Sequence, residues 1–297
     1  ELLPPRKLMA GSVTGSGSSV RVAASDALRG YVRAANAVQH ATKNKNIEKM
    51  PAQLYRAVQD LAELAIDEPD HHLALTSVRE ELAGESRHPI QVCILAMALG
   101  QRLGLEKPLL VELGFAAMLV GALCSDAPEA QRLEVAARLV TGHRLTPVRA
   151  RRLMVVYEHA LERPHGLHLY SRIVAIAVVY DKLTTRTEHH SPLLPDEALS
   201  QMAASPRFDG ELMGVFNRVI GRYPLGSAVR LSSGELAVIL HSASDPSRAD
   251  RPVVRIVRDP AGRPLGRVVD LATDPRQILG LVDPELAGID GTLAFFR

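Results

Sequence analysis

Histidine, carboxylate and arginine side chains crowd the middle of this chain, and each type suggests a chemistry. His88, His143, His159, His165 and His168, with Glu158, Glu162 and Asp181 close in sequence, are the nitrogen and oxygen donors a divalent cation would use. A rebuilt mononuclear site would need His165 and His168 on one helix face. Pro164-His165-Gly166 reads instead as a loop, where histidines are more often exposed or structural. His71-His72 and His189-His190 fall in polar, surface-like segments and carry a weaker signal. The second concentration is basic: Arg138, His143, Arg144, Arg149, Arg151 and Arg152. Guanidinium groups can grip phosphates bidentately, although a solvated helix face is the ordinary reading of such a run. No aromatic platform accompanies these arginines in sequence, which argues against base stacking and against nucleic acid as a partner.

The elements that must position these groups read as mainly helical. Residues 11–19, rich in Gly and Ser, read as a connector, because they lack the Gly-Lys-Ser/Thr ending of a P-loop. Ser25-Asp26 then cap a helix running to about Gln39, and Lys43-Asn44-Lys45-Asn46 form a polar turn. Pro51 opens a second helix with Leu54, Val58, Leu61, Leu64 and Ala65 on one face. From about Leu73 to Leu199 the periodicity is helical almost throughout, and Val111–Leu123 is apolar nearly all round, as a central buried helix would be. Pro195 and Asp209-Gly210-Glu211 introduce two further helices. After Tyr223-Pro224-Leu225-Gly226 the pattern turns to strand, turn, strand: Ala228–Leu231, Ser232-Ser233-Gly234, Glu235–Leu240. Pro252–Val257 alternates as a third strand, and a short fourth is expected near Val268. The expected organisation is an N-terminal loop and helical region (1–72), a helical domain (73–222) and a small β-rich C-terminal subdomain (223–297).

Composition fits that picture. Aromatic content of 4% with no Trp leaves packing to aliphatic side chains, which favours helices. Cys93 and Cys124 both sit in apolar runs and read as reduced core residues of a cytoplasmic protein. A net charge of +2 exerts no global pull on nucleic acid or membrane. The longest apolar stretch, Phe115–Cys124, is too short for a bilayer span of roughly 20 residues. The opening Glu1-Leu2-Leu3-Pro4-Pro5-Arg6-Lys7 has neither signal-peptide architecture nor an initiator Met, the pattern of a trimmed chain.

Several motifs in order resemble the HD-GYP family, a branch of the HD phosphohydrolases associated with hydrolysis of cyclic di-GMP. His88 falls where that family places its first metal-ligand histidine. Tyr170-Ser171-Arg172-Ile173-Val174-Ala175-Ile176-Ala177-Val178-Val179-Tyr180-Asp181-Lys182-Leu183-Thr184-Thr185-Arg186 closely matches its late helix. Glu158-His159 resembles the start of its paired-histidine motif, and Tyr223-Pro224-Leu225-Gly226 its extension. The resemblance covers roughly residues 73–260 and implies an HD-type helical bundle.

The departures from that pattern fall on the metal-holding positions. Val120-Gly121 stands in place of the His-Asp pair, Val178 in place of an aspartate, and Ala160 in place of the second histidine after His159. The Gly-Tyr-Pro signature is missing, and the interval from Val120 to His159 is short. A multi-metal phosphodiesterase needs carboxylates and neutral imidazoles converging on cations about 3.5–4 Å apart. His88, Val120, Gly121, His159 and Val178 therefore read as a vestigial site, with no catalytic residue and no metal or other cofactor assigned. A structural His88 would donate to a backbone carbonyl, and Asp181 with Arg172 would form a core ion pair. Three functions follow from different classes: a non-catalytic regulatory or protein-interaction module, a non-hydrolysing cyclic di-GMP sensor, and a residual hydrolase with an altered metal site. For a sensor, Arg144, Arg149, Arg151, Arg152, Arg172 and Arg186 are the candidate phosphate contacts. The resemblance also implies pairing, so a homodimer joins protein partners among the expected associations. The collapsed-site reading predicts that Asp at position 120 destabilises the fold.

Overall fold

The computed structural model describes residues 17–43, 52–78, 84–123, 127–140, 146–163, 165–186, 191–242, 250–284 and 286–296. Helices α1 (Gly17–Lys43), α2 (Ala52–Asp67) and the short α3 (Pro69–Ala74) lead into α4 (Arg87–Arg102) and α5 (Lys107–Leu123). Helices α6 (Glu129–Val140), α7 (Pro147–Glu158), α8 (Leu169–Thr184), α9 (Pro195–Ala203) and α10 (Gly210–Ile220) complete the helical part. Strands β1 (Ala228–Leu231), β2 (Leu236–His241), β3 (Val253–Arg258), β4 (Pro264–Asp270) and β5 (Ile278–Val282) follow, and α11 (Gly291–Phe296) closes the chain.

Central helices form where the sequence is apolar on every side. Residues 113–120 of α5 are all buried, and α8 buries Tyr170, Ser171, Ile173 to Val178, Tyr180 and Asp181. Both pack against α4, whose end is set by Gly104 at φ 83°, a left-handed conformation that Gly adopts without a Cβ penalty. The α4–α5 crossing is close enough that a Cβ on Gly114 would fall within 1.9 Å of Met97 Cε. Thr146 caps α7 by accepting the Arg149 N–H at 3.3 Å, with Pro147 at the first helical position. Asp209 caps α10 by accepting the Glu211 and Leu212 N–H groups, each at 3.0 Å.

The five strands form an antiparallel sheet in the order β4-β3-β2-β1-β5. Val229, Leu231, Ala237, Ile239, Val254, Ile256, Val269 and Leu271 on its inner face belong to the same buried cluster as α4, α5, α8 and α10. A second cluster joins α1 and α2 to the opposite sides of α4 and α5 through Tyr31, Val58, Leu61, Ile90, Ile94 and Phe115.

Several sequence expectations need correction. Helix α1 begins at Gly17, so Gly17-Ser18-Ser19 are helical rather than connector, and Ser25-Asp26 are interior; Asp26 pairs with Arg29. Residues 11–16, Asn44 to Asn46, Cys124 and His189-His190 lie outside the described residues. Strand β5 and helix α11 were not anticipated, and β4 is longer than expected. Cys93 is buried with a free thiol, and burial raises its pKa. Among the described residues no helix is long and apolar enough to cross a membrane.

His71 and His72 are buried rather than surface residues. The His71 ring packs edge-on against Phe295 at 5.9 Å, so α11 covers this end of α3. Burial alone lowers the His72 pKa from 6.5 to about 3. A group depressed in the folded state contributes stability that is complete above its unfolded pKa and is lost as pH falls toward the folded value. At about 1.4 kcal/mol per pH unit, lowering the pH from 7 to 5 is expected to cost the fold about 2 kcal/mol through His72 alone. Urea unfolding at the two pH values checks this. His72→Leu should remove most of that difference, and an equally acid-sensitive variant would rule His72 out as its source.

Candidate functional site

The first turn of α4 and the last turn of α8 bring Arg87, His88, Asp181 and Thr185 together. His88 Nδ1 donates to Asp181 Oδ2 at 2.6 Å. The carboxylate can only accept, so Nδ1 carries the proton and Nε2 presents the lone pair in the neutral ring. Thr185 Oγ1 donates to Asp181 Oδ1 at 3.3 Å and accepts from Arg87 Nη1 at 2.7 Å. Arg87 Nη1 also lies 3.8 Å from Asp181 Oδ1, and its Nε donates to the Val78 carbonyl at 3.4 Å. Asp181 is only 4% exposed, and His88 Nε2 is buried with no hydrogen-bond partner. Tyr31 of α1 lies within electrostatic reach of Arg87 and Asp181. Burial drives its hydroxyl pKa up to about 12. With Nε2 enclosed, this dyad has the orientation of a base but no access to a solute.

Val120, Gly121 and Val178 pack nearby as apolar filling. Val120 and Val178 are buried in the main core, and an added Cβ on Gly121 would lie 2.7 Å from Pro89 Cα. Real Cβ contacts with backbone are essentially never that short, so the absence of a side chain lets α5 rest against the start of α4.

His159 is placed differently. It is buried at the C-terminal cap of α7, and its Nδ1 donates to the Val155 carbonyl at 2.9 Å. This is the bond expected of His88, which uses a carboxylate instead. Glu158 caps the next helix: its Oε2 accepts from the His168 backbone N–H at 2.9 Å and from Ser171 Oγ at 2.7 Å. His168 Nδ1 accepts the Tyr170 N–H at 3.2 Å, a role open only to the neutral ring, and partial burial lowers its pKa in keeping with that. His165 stays exposed in the turn before α8. Among the described residues no three His, Cys, Asp or Glu side chains converge as a metal-binding group. His143 lies outside them.

Most of the described arginines are engaged individually. Arg151 donates to Glu112 Oε2 (Nε at 2.9 Å), Arg172 to Asp209 Oδ2 at 2.8 Å, and Arg186 to Asp283 Oδ2 at 2.7 Å. The expected Arg172–Asp181 pair is therefore two separate pairs, Arg172–Asp209 and Arg87–Asp181. Arg152 lies over the Phe115 ring at 4.1 Å, with Tyr55 tilted against the same ring at 6.3 Å. An aromatic partner does accompany the basic run, but it comes from α5 and is itself buried. Arg149 helps cap α7, while Arg144 lies outside the described residues. Sequence reasoning passed over Arg87 and Thr185, although they flank His88 and Asp181 at i−1 and i+4.

No known family model matches the chain. Over 212 residues it is 27% identical to the cyclic di-GMP phosphodiesterase PA4108 of Pseudomonas aeruginosa, a match covering 62% of this chain and 50% of that relative. The chain thus spans about half the length of the curated relative it matches. Its structure resembles Bd1817, a HDG"Y"P protein from Bdellovibrio bacteriovorus, with a TM-score of 0.53 at 13% identity over 71% of this chain and 75% of the other. The fold is an HD-type helical fold. In this HD-type bundle the inner face of the small antiparallel sheet shares one buried cluster with the helices that carry Asp181 and Val120.

Proposed function

We propose that this chain is a degenerate HD-GYP protein that does not hydrolyse phosphodiesters and serves as a regulatory or protein-interaction module in bacterial cyclic di-GMP signalling. One observation carries the reading: Gly121 lies so close to Pro89 that no side chain fits between them. An aspartate there would have to push α4 and α5 apart, so this position supplies no carboxylate that would help to hold a pair of cations. The other donors do not fit a metal centre either. Val120 and Val178 offer no lone pair, and the enclosed Nε2 of His88 is joined by no group of three His, Cys, Asp or Glu side chains among the described residues. Protein partners, a second copy included, would then read the retained helical and sheet surfaces from a cytoplasmic location.

The purified chain is expected to release no linear product from cyclic di-GMP, and none from a generic aryl phosphodiester, with Mn²⁺, Mg²⁺ or Fe²⁺ supplied. Metal-dependent turnover that His88→Ala abolishes would overturn the reading in favour of a residual hydrolase. The similarity to PA4108 favours a second reading, a cyclic di-GMP sensor without turnover. Calorimetric heat saturating at micromolar cyclic di-GMP would select that reading over a pure scaffold.

A further inference from the structure

Helix α11 sits astride the boundary between the two large buried clusters. Phe295 belongs to the main cluster, and Phe296 packs against both that cluster and the one built with α1 and α2. The two rings meet edge-on at 5.0 Å and converge on His71 of α3, Phe295 edge-on at 5.9 Å and Phe296 tilted at 6.4 Å. The seat that receives them is lined from α1, α3, the turn Leu75–Ser77, β2 and β3. Two side chains of β3 hold the backbone over it. Arg255 Nη1 donates to the Ala294 carbonyl at 2.5 Å, and Arg258 Nη2 donates to the Gly288 carbonyl at 2.7 Å. Ile289, buried with Ala228 and Val238, pins the chain just ahead of the helix.

A helix of 6 residues cannot hold itself in water, where roughly 12–15 are needed, so α11 is helical only while it is seated. Completing the core is the ordinary use of such a segment, and aliphatic side chains do that everywhere else along the sheet. Here the means are different. The chain has 5 Phe and no Trp, yet two of those Phe stand side by side in this one short helix. They are set against a buried imidazole, whose Nδ1 is enclosed 3.4 Å from Glu68 Oε2. Adjacent aromatic anchors on a short backbone are the form in which a helical peptide enters an apolar groove, and such anchors carry most of the binding energy. The occupant on the page therefore shows the chemistry that the seat accepts.

We infer that α11 is the internal occupant of a peptide-docking seat, whose external ligand is a short helical segment of a partner protein carrying two adjacent aromatic side chains. While α11 is seated the partner is excluded, so the helix acts as an autoinhibitory plug. The inference rests on the reading of the chain as a protein-interaction module; it adds the partner's chemistry and the contact that regulates it. Failure of that reading would appear as metal-dependent turnover, which the binding measurements below do not involve.

The full chain carrying Phe295→Ala and Phe296→Ala together opens the seat, and a fluorescent peptide with the sequence of residues 289–297 probes it. Its anisotropy should saturate on the double variant. The parent chain should bind the peptide roughly tenfold or more weakly, because its own α11 competes at the high effective concentration of a tethered segment. The same peptide with Ala in place of both Phe should stay free. A folded double variant that leaves the aromatic peptide free would overturn the seat, and equal binding by the two proteins would overturn the plug. If the double variant does not fold, hydrogen exchange of the parent decides. The α11 amides should then exchange roughly a hundredfold faster than those of α4 and α5, whereas equal protection would show that the helix lifts only with global unfolding and overturn the inference. A parent chain that dimerises at high concentration, where the double variant does not, would give the seat to a second copy and overturn the partner assignment.

Discussion

Val120→Asp is expected to lower the stability of the fold by about 3–5 kcal/mol, because it places a carboxyl group in the packed core with no partner. Val120 has no exposed surface, and its neighbours in the main cluster are aliphatic or aromatic. For a chain of this size the deficit corresponds to a melting temperature lower by about 5–8 °C. The loss should also depend on pH in a defined sense. A buried aspartate has its pKa raised, so the folded protein tolerates it best when protonated. The deficit should then be smallest at acid pH and grow as pH rises through the raised value, opposite in sign to the His72 effect. Gly121→Ala, with its methyl forced against Pro89, is expected to cost about 1–3 kcal/mol by overpacking. Thermal unfolding of the two variants beside the parent chain measures both. If Val120→Asp melts with the parent, water or a cation reaches position 120 and the collapsed-site picture fails.

Which of these features could be read from sequence depends on whether the deciding contact is local. Helix α5 was legible because every side of it is apolar, and β1 to β3 because alternation brackets the turn at Gly234. Strand β5 was not, because Gly280 interrupts its short apolar run and its partner is β1, almost 50 residues earlier. The start of α1 was misread because Gly and Ser argue locally for a connector. His71 and His72 carry polar letters yet are buried, His71 against Phe295, a neighbour more than 200 residues away. The candidate site shows the same division. His88 and Asp181 could each be singled out by motif, but their pairing across 93 positions could not. Reading Arg172 as Asp181's partner followed sequence proximity, whereas Asp209 holds Arg172 and Arg87 holds Asp181.

Asp181→Ala is expected to cost about 3–5 kcal/mol, since it strands partners that the fold has enclosed around the carboxylate. The His88 imidazole would lose the acceptor for its Nδ1 proton, and the Arg87 guanidinium would keep only Thr185 and the Val78 carbonyl. The effect belongs to the α4–α8 junction, so a double-mutant cycle can isolate it. His88→Ala alone leaves Asp181 with Arg87 and Thr185 and should cost less than Asp181→Ala. The double variant His88→Ala/Asp181→Ala should fall short of the sum by about 1–3 kcal/mol, the coupling typical of residues in one hydrogen-bonded network. Asp181→Asn keeps one accepting oxygen and loses the charge that faces Arg87, so its cost should lie between zero and that of Asp181→Ala. Urea unfolding of the four proteins in the cycle, with unchanged slope in denaturant, provides the numbers. Additive costs would show that His88 and Asp181 stabilise the fold separately. The dyad would then no longer count as a clasp holding α4 to α8.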